Sequence, residues 1–234
     1  MHYPREELFQ MNLLSFGYPI YESYLTWQIS KYPSKAPKHV AVILKETDLL
    51  DLKSMEKLQL ALLEFRKFKV DLVSIYVDIL KDDLALKTEL ISGIASRLEE
   101  SFSMLPQGTG YEIYGHEGEV TTRREGKNFF VYVSLGLGGR EEITRAVLEV
   151  LKDVKQGSVR PEEIDEKHLE SRLLVKQEPD IMIRSGGQKL SDFLVWQSVY
   201  SELYFTDVNW KEVRKIDLQR VIRDYQKRQR RYGR

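Results

Sequence analysis

Apolar residues fall along this chain in two rhythms. His39 to Leu44 (HVAVIL), Leu72 to Val77 (LVSIYV) and Ile181 to Ile183 are almost unbroken apolar runs, and Tyr111 to Tyr114 and Phe129 to Leu135 are two more short stretches of strand-forming residues. Runs without alternation predict strands covered on both faces, as in a parallel sheet. Elsewhere the apolar positions return every three or four residues. Leu52, Met55, Leu58, Leu62, Phe65 and Phe68 predict a helix over 49–68, and Leu86, Leu90, Ile94, Leu98, Phe102 and Leu105 predict another over 84–105. Phe193, Trp196, Tyr200, Leu203 and Tyr204 predict a third, N-capped by Ser191 or Asp192. A last helix is expected from Lys211 to Arg230, with Leu218, Val221, Ile222 and Tyr225 inward.

The first 31 residues carry a heavy aromatic load, broken at Gly17 and Pro19, and predict two short helices. These either pack on the body of the protein or form a surface that lies on a membrane interface. From Lys152 to Glu178 the chain is a polar connector in which Pro161 opens a short helix.

Length and composition narrow the picture. The 234 residues suffice for one sizeable core, and 42% hydrophobic with 31% charged residues is the composition of a soluble globular protein. Thirty-six basic residues balance 36 acidic ones, so nothing global points to a polyanionic partner. The absence of cysteine removes a disulfide framework, a thiolate nucleophile and a cysteine zinc site, in agreement with a cytoplasmic protein. His2, His39, His116 and His168 are scattered, without metal-binding spacing. No apolar run approaches a transmembrane length, and the amino terminus does not read as a signal peptide.

The candidate chemistry is concentrated after Pro179. The apolar run ends at Arg184, and Ser185, Gly186 and Gly187 then permit a close backbone approach before the predicted helix start. In an open parallel sheet ligands bind beyond the carboxyl ends of strands, where helix N-termini offer N–H groups to anions, and an arginine there favours phosphate. A turn of this kind also serves simply to reverse a chain, and the residues alone leave both readings open. A second glycine-rich segment, GLGGREEI, lacks the third glycine of a dinucleotide fingerprint because position 141 is Glu. The basic tail KRQRRYGR suits a solvated face or a nucleic-acid arm, but no other basic and aromatic interleaving supports nucleic acid.

The strings PDIMIRSGG, SDFLVWQSVYSELYFTDVNW and the final RRYGR resemble the carboxyl-terminal signature of the cis-prenyltransferases, the undecaprenyl and dehydrodolichyl diphosphate synthase family. IYESYLTWQI followed by PKHVAVIL is similar to the lead-in of archaeal members. The resemblance implies an α/β fold with a central, mainly parallel sheet flanked by helices, a lead-in over 1–38 and a synthase-like domain over 39–234. It implies that Arg184, Gly186, Gly187 and Ser191 bind the diphosphate of isopentenyl diphosphate and that Glu202 helps to hold magnesium. Arg140, in a segment similar to the family's Gly-Gly-Arg helix start, either contacts substrate or fixes its loop. Arg231 and Gly233 form the terminal Arg-x-Gly, which in the family reaches across the dimer into the partner's site.

The departures are as informative. Where the family has Asp-Gly-Asn-Gly-Arg-Trp after the first strand, with a magnesium-binding aspartate and a phosphate cradle, this chain has Lys45 and then ETDLLDL without glycine. Asp48 and Asp51 fall instead at a helix start. The family's Phe-Ser-Thr-Glu-Asn-Trp is replaced by DILKDDL, its glutamate and second diphosphate arginine after the glycine pair give way to Gln188 and Leu190, with Lys189 only a loose substitute for the arginine fork, and His116 stands in a surface turn where the family often has aspartate. The expectation is an accessory subunit of the Nogo-B receptor type, in a heteromer whose catalytic subunit holds most of the magnesium. A homodimeric enzyme with an altered allylic site, or a non-enzymatic isoprenoid diphosphate binder, are the alternatives. Peripheral contact with a membrane is part of the same expectation.

Overall fold

The computed structural model describes residues 5–79, 83–185, 193–206 and 209–228, with the backbone alone for 5–17. At its centre is β1, His39–Lys45, with neighbours on both edges: β2, Leu72–Asp78, and β6, Ile181–Ser185, both parallel to it. Outward from β2 come β5, Phe129–Leu135, and β3, Thr109–Tyr114, also parallel, and then β4, Val120–Arg124, antiparallel to β3. Outward from β6 lies β7, Glu202–Thr206. The sheet therefore runs β4-β3-β5-β2-β1-β6-β7, with one antiparallel strand at an edge. The continuous apolar runs are its inner strands, as their two-sided burial demands.

Alternate residues of β1 serve two cores. Val40, Val42 and Leu44 join Val73, Ile75 and Val77 under α2, Leu52–Lys67, α3, Leu84–Ser103, and α6, Lys215–Lys227. Ala41 and Ile43 face Tyr76, Met182, Phe193 and Leu194 on the other side, where Phe193 stacks on Tyr76 with ring centres 5.0 Å apart. Helix α4, Gly139–Lys155, also borders that side, its buried Glu142 accepting the Leu174 N–H at 2.7 Å.

Several expectations are corrected. The amino-terminal segment is one helix, α1, Arg5–Ser30, with Pro19 inside it rather than two helices broken there. The chain from Phe193 to Tyr200 is a series of turns, not a helix. Leu194 takes a left-handed φ of 53°, and the residues that follow are drawn into β7, where the Glu202 N–H reaches the Asp180 carbonyl at 3.0 Å. Leu203 and Tyr204, placed on a helix face by spacing, alternate across that strand. Strand β4 was not legible because its exposed sequence, VTTRR, has no apolar run. Leu52 and Leu86, expected inward, are exposed at the first turns of α2 and α3. Pro161 opens a 3-10 turn, Pro161–Glu163, followed by the short α5, Glu166–Glu170. Among the described residues no helix is long and apolar enough to cross a membrane.

Candidate functional site

Parallel strands bring their carboxyl ends to one edge, and several charged residues of this chain stand there. Lys45 closes β1 and is the register partner of Asp78, which closes β2. Arg184, next to last in β6, pairs in register with Ile43 of β1. By the alternation of strand side chains, Lys45, Asp78 and Arg184 share one face of the sheet. Lys87, in the first turn of α3, approaches the Gly136 carbonyl at 3.5 Å just past β5. Gly138 caps α4, which puts the exposed Arg140 at the same edge. Arg184 Nε is buried and has no acceptor among the described residues. An unmade buried hydrogen bond typically costs about 1–3 kcal/mol, so this donor calls for an acceptor beyond the described residues.

The loop after β1 is closed on itself. A 3-10 turn, Glu46–Leu49, follows Lys45 directly, and the Lys45 N–H donates to Asp48 Oδ2 at 2.9 Å. The Asp48 carboxyl is buried, and burial pushes its pKa up against the hydrogen bond from Lys45 that lowers it. Asp51 then caps α2, accepting the Ser54 N–H at 2.8 Å and pairing with Lys211 at 2.7 Å. With that lysine and Ser54 beside it the Asp51 carboxyl is held down to about 2. Both aspartates thus take the helix-start roles that the sequence suggests.

Other expected site residues are placed elsewhere. Glu202 is the register partner of Ile181, at the amino end of β6 and therefore at the opposite edge from Arg184. Its carboxylate accepts from Arg228 Nη1 at 2.5 Å. Gly186, Gly187, Ser191, Arg231 and Gly233 lie outside the described residues, as do Gln188 to Leu190. His116 sits in the β3–β4 turn, where the Gly115 N–H closes on the Glu119 carbonyl at 3.0 Å. Among the described residues no three histidine or acidic side chains converge as a metal would require. At the end of β1 the side chain is the cation Lys45 and the Asp48 carboxyl is engaged by the Lys45 N–H, so among the described residues that strand end offers no converging carboxylates for magnesium. Asp78 and Lys87 escaped the sequence reading. Their signal was position alone, at a strand end and in the helix turn that follows it.

Residues 63–233 match the family model described as "Putative undecaprenyl diphosphate synthase". Over 92% of its length the chain is 33% identical to a tritrans,polycis-undecaprenyl-diphosphate synthase (geranylgeranyl-diphosphate specific) of Thermococcus kodakarensis, covering 94% of that protein. Among solved structures, lavandulyl diphosphate synthase from Lavandula x intermedia superposes with a TM-score of 0.69 at 19% identity, over 86% of this chain and 100% of that one. A probable undecaprenyl diphosphate synthase from Campylobacter jejuni gives 0.67 at 20% identity, over 85% and 99%. At such identities the two structures establish the fold. The sequence match, long and specific, establishes the rest: this chain belongs to the undecaprenyl diphosphate synthase family of cis-prenyltransferases.

Proposed function

We propose that this chain is the accessory subunit of a heteromeric cis-prenyltransferase that condenses isopentenyl diphosphate with an allylic diphosphate. The observation that carries the reading is the closed loop after β1. A phosphate cradle needs several backbone N–H groups unspent and a backbone free to wrap the anion. Here the Lys45 N–H is taken by the Asp48 carboxylate, no glycine follows, and that carboxylate adds negative charge where a diphosphate would sit. The partner would supply the missing aspartate, the phosphate loop and most of the magnesium site. In this chain Arg184, with Gly186, Gly187, Ser191 and Arg140, would face isopentenyl diphosphate, and Arg231 and Gly233 would enter the partner's site. A peripheral membrane contact is part of the reading, supported by the aromatic residues that α1 leaves exposed.

A self-sufficient homodimer with an altered allylic site is the second reading. It is favoured by near full-length similarity to a protein named as a synthase. The purified chain, given geranylgeranyl diphosphate, labelled isopentenyl diphosphate and magnesium, separates the two. We expect no elongation by the chain alone and elongation once a catalytic homologue from the same organism is co-expressed. Robust elongation by the chain alone overturns the accessory reading in favour of the second.

A further inference from the structure

From Tyr18 to Ser30, helix α1 has two opposed faces. Leu25 and Ile29, 0% and 1% exposed, pack inward, while Ile20, Tyr24 and Trp27, at 73%, 48% and 61%, form an exposed stripe at four- and three-residue steps. The stripe runs into a groove of about 390 Å³ between the end of α1 and α6, lined among others by Trp27, Lys31, Tyr32, Lys35, Arg223 and Lys227. Gln226 Nε2 fixes the groove by donating to the Ile29 carbonyl at 3.1 Å and to the Tyr32 carbonyl at 2.9 Å. The cations alternate with rings. Lys31 Nζ lies 5.6 Å from the centre of Trp27 and 5.7 Å from that of Tyr32, and Lys35 Nζ lies 5.4 Å from Tyr32.

Charge here is distributed unevenly. Around the groove the basic residues have carboxylates: Lys215 with Glu22 at 3.8 Å, Arg214 with Asp217 at 3.0 Å and Arg228 with Glu202 at 2.5 Å, and within it Arg223 pairs with Asp224 at 2.7 Å. Lys31, Lys35 and Lys227 have none among the described residues, and from Ser23 to Pro37 the sequence contains no acidic residue. Lysines at helix ends commonly answer the macrodipole. Lys35 lies beyond the helix, however, and an exposed Trp and Tyr beside unpaired lysines is the composition of a membrane interface, where rings sit at headgroup depth and ammonium groups meet phosphate.

We propose that this groove, with the Ile20–Tyr24–Trp27 stripe, docks the phosphate headgroups of an anionic lipid bilayer. The inference rests on the peripheral-contact part of the functional reading and gives it a place. It is independent of whether the chain is catalytic or accessory. The test uses the full chain with phosphatidylcholine vesicles and with vesicles of equal parts phosphatidylcholine and phosphatidylglycerol, measured by co-sedimentation. We expect binding to the anionic vesicles that weakens with salt. Lys31→Ala/Lys35→Ala should lower the partition coefficient about thirtyfold, which is ~1 kcal/mol per lysine, and Trp27→Ala should lower it separately, both with unchanged circular dichroism. If the wild type binds neither vesicle, the peripheral-contact reading and the groove fall together. If it binds and the variants bind equally, the groove alone is wrong. Saturable inorganic diphosphate binding that needs Lys31 and Lys35, without vesicle binding, would make this a soluble-anion site and overturn the proposal. So would a dimer in the wild type that Trp27→Ala dissociates, since a second copy would then cover the stripe.

Discussion

The Arg228 guanidinium closes on the Glu202 carboxylate, Nη1 to Oε2 at 2.5 Å, and ties the end of α6 to the first residue of β7. The pair is partly exposed, at 40% and 29% of the two side chains, so its net contribution to stability is about 0–1 kcal/mol. We expect Glu202→Gln and Arg228→Ala each to shift the urea midpoint by no more than that allows. In the assembled complex both should leave the magnesium concentration for half-maximal turnover unchanged, because the metal is assigned mainly to the partner. A raised magnesium requirement in Glu202→Gln alone would give this carboxylate a metal role.

Lys45→Asp should not rescue activity in the isolated chain. The substitution restores one carboxylate, but the backbone N–H at that position remains committed to Asp48, and the 3-10 turn still lacks a glycine. A preorganised set of donors for the departing diphosphate is worth several kcal/mol, and one side chain does not rebuild it. Turnover by the purified Lys45→Asp chain, compared with the complex, is the measurement. A rate equal to that of the complex would show that the loop is not what limits the chain.

Arg231→Ala and Gly233→Ala should damage turnover of the complex without undoing its assembly. Loss of one charge-assisted contact to a diphosphate costs about 1.5–3 kcal/mol, roughly ten- to a hundredfold in rate when it is felt in the transition state. Steady-state kinetics beside size-exclusion chromatography separates the two effects. An intact complex with unchanged kinetics in both variants would remove the tail from the site.

His39 makes folding stability depend on pH. Its ring is buried, with Nε2 2.8 Å from Ser74 Oγ, and burial pulls its pKa from 6.5 down to about 4 although Asp180 pushes the other way. A group whose pKa is depressed on folding contributes stability that is complete above the unfolded value and is lost as pH falls toward the folded one. Between pH ~7.5 and ~5 the loss should be about 2 kcal/mol. Urea titrations at both pH values should show that the change in the wild type is more destabilising than that in His39→Gln by about this amount.

The inner strands β1, β2, β5 and β6 were readable because burial on both faces leaves an unbroken apolar run, and α2, α3 and α6 because a single buried stripe imposes their spacing. The segment after Ser191 misled because Leu203 and Tyr204 fit a helical period and a strand period equally over so short a stretch. Only pairing with β6, a tertiary event, decides between them. At the candidate site the sequence showed a lysine at the end of the first strand and no glycine after it. It could not show that Asp48 turns back to occupy the Lys45 N–H, since that depends on the 3-10 turn forming at all.

The strand order also governs how the molecule is made. One flank of β1 is satisfied by β2 soon after it is synthesised, but the other waits for β6, about 140 residues later. At ribosomal rates of about 5–20 residues per second that interval is roughly 7–30 s. During it an apolar strand of the future centre presents an open hydrogen-bonding edge, the feature that most readily recruits another chain. The nascent protein is therefore most exposed to misassembly while its middle half is being translated, and overproduction that crowds nascent chains together should be harder on this fold than on one whose central strand is flanked by its neighbours in sequence.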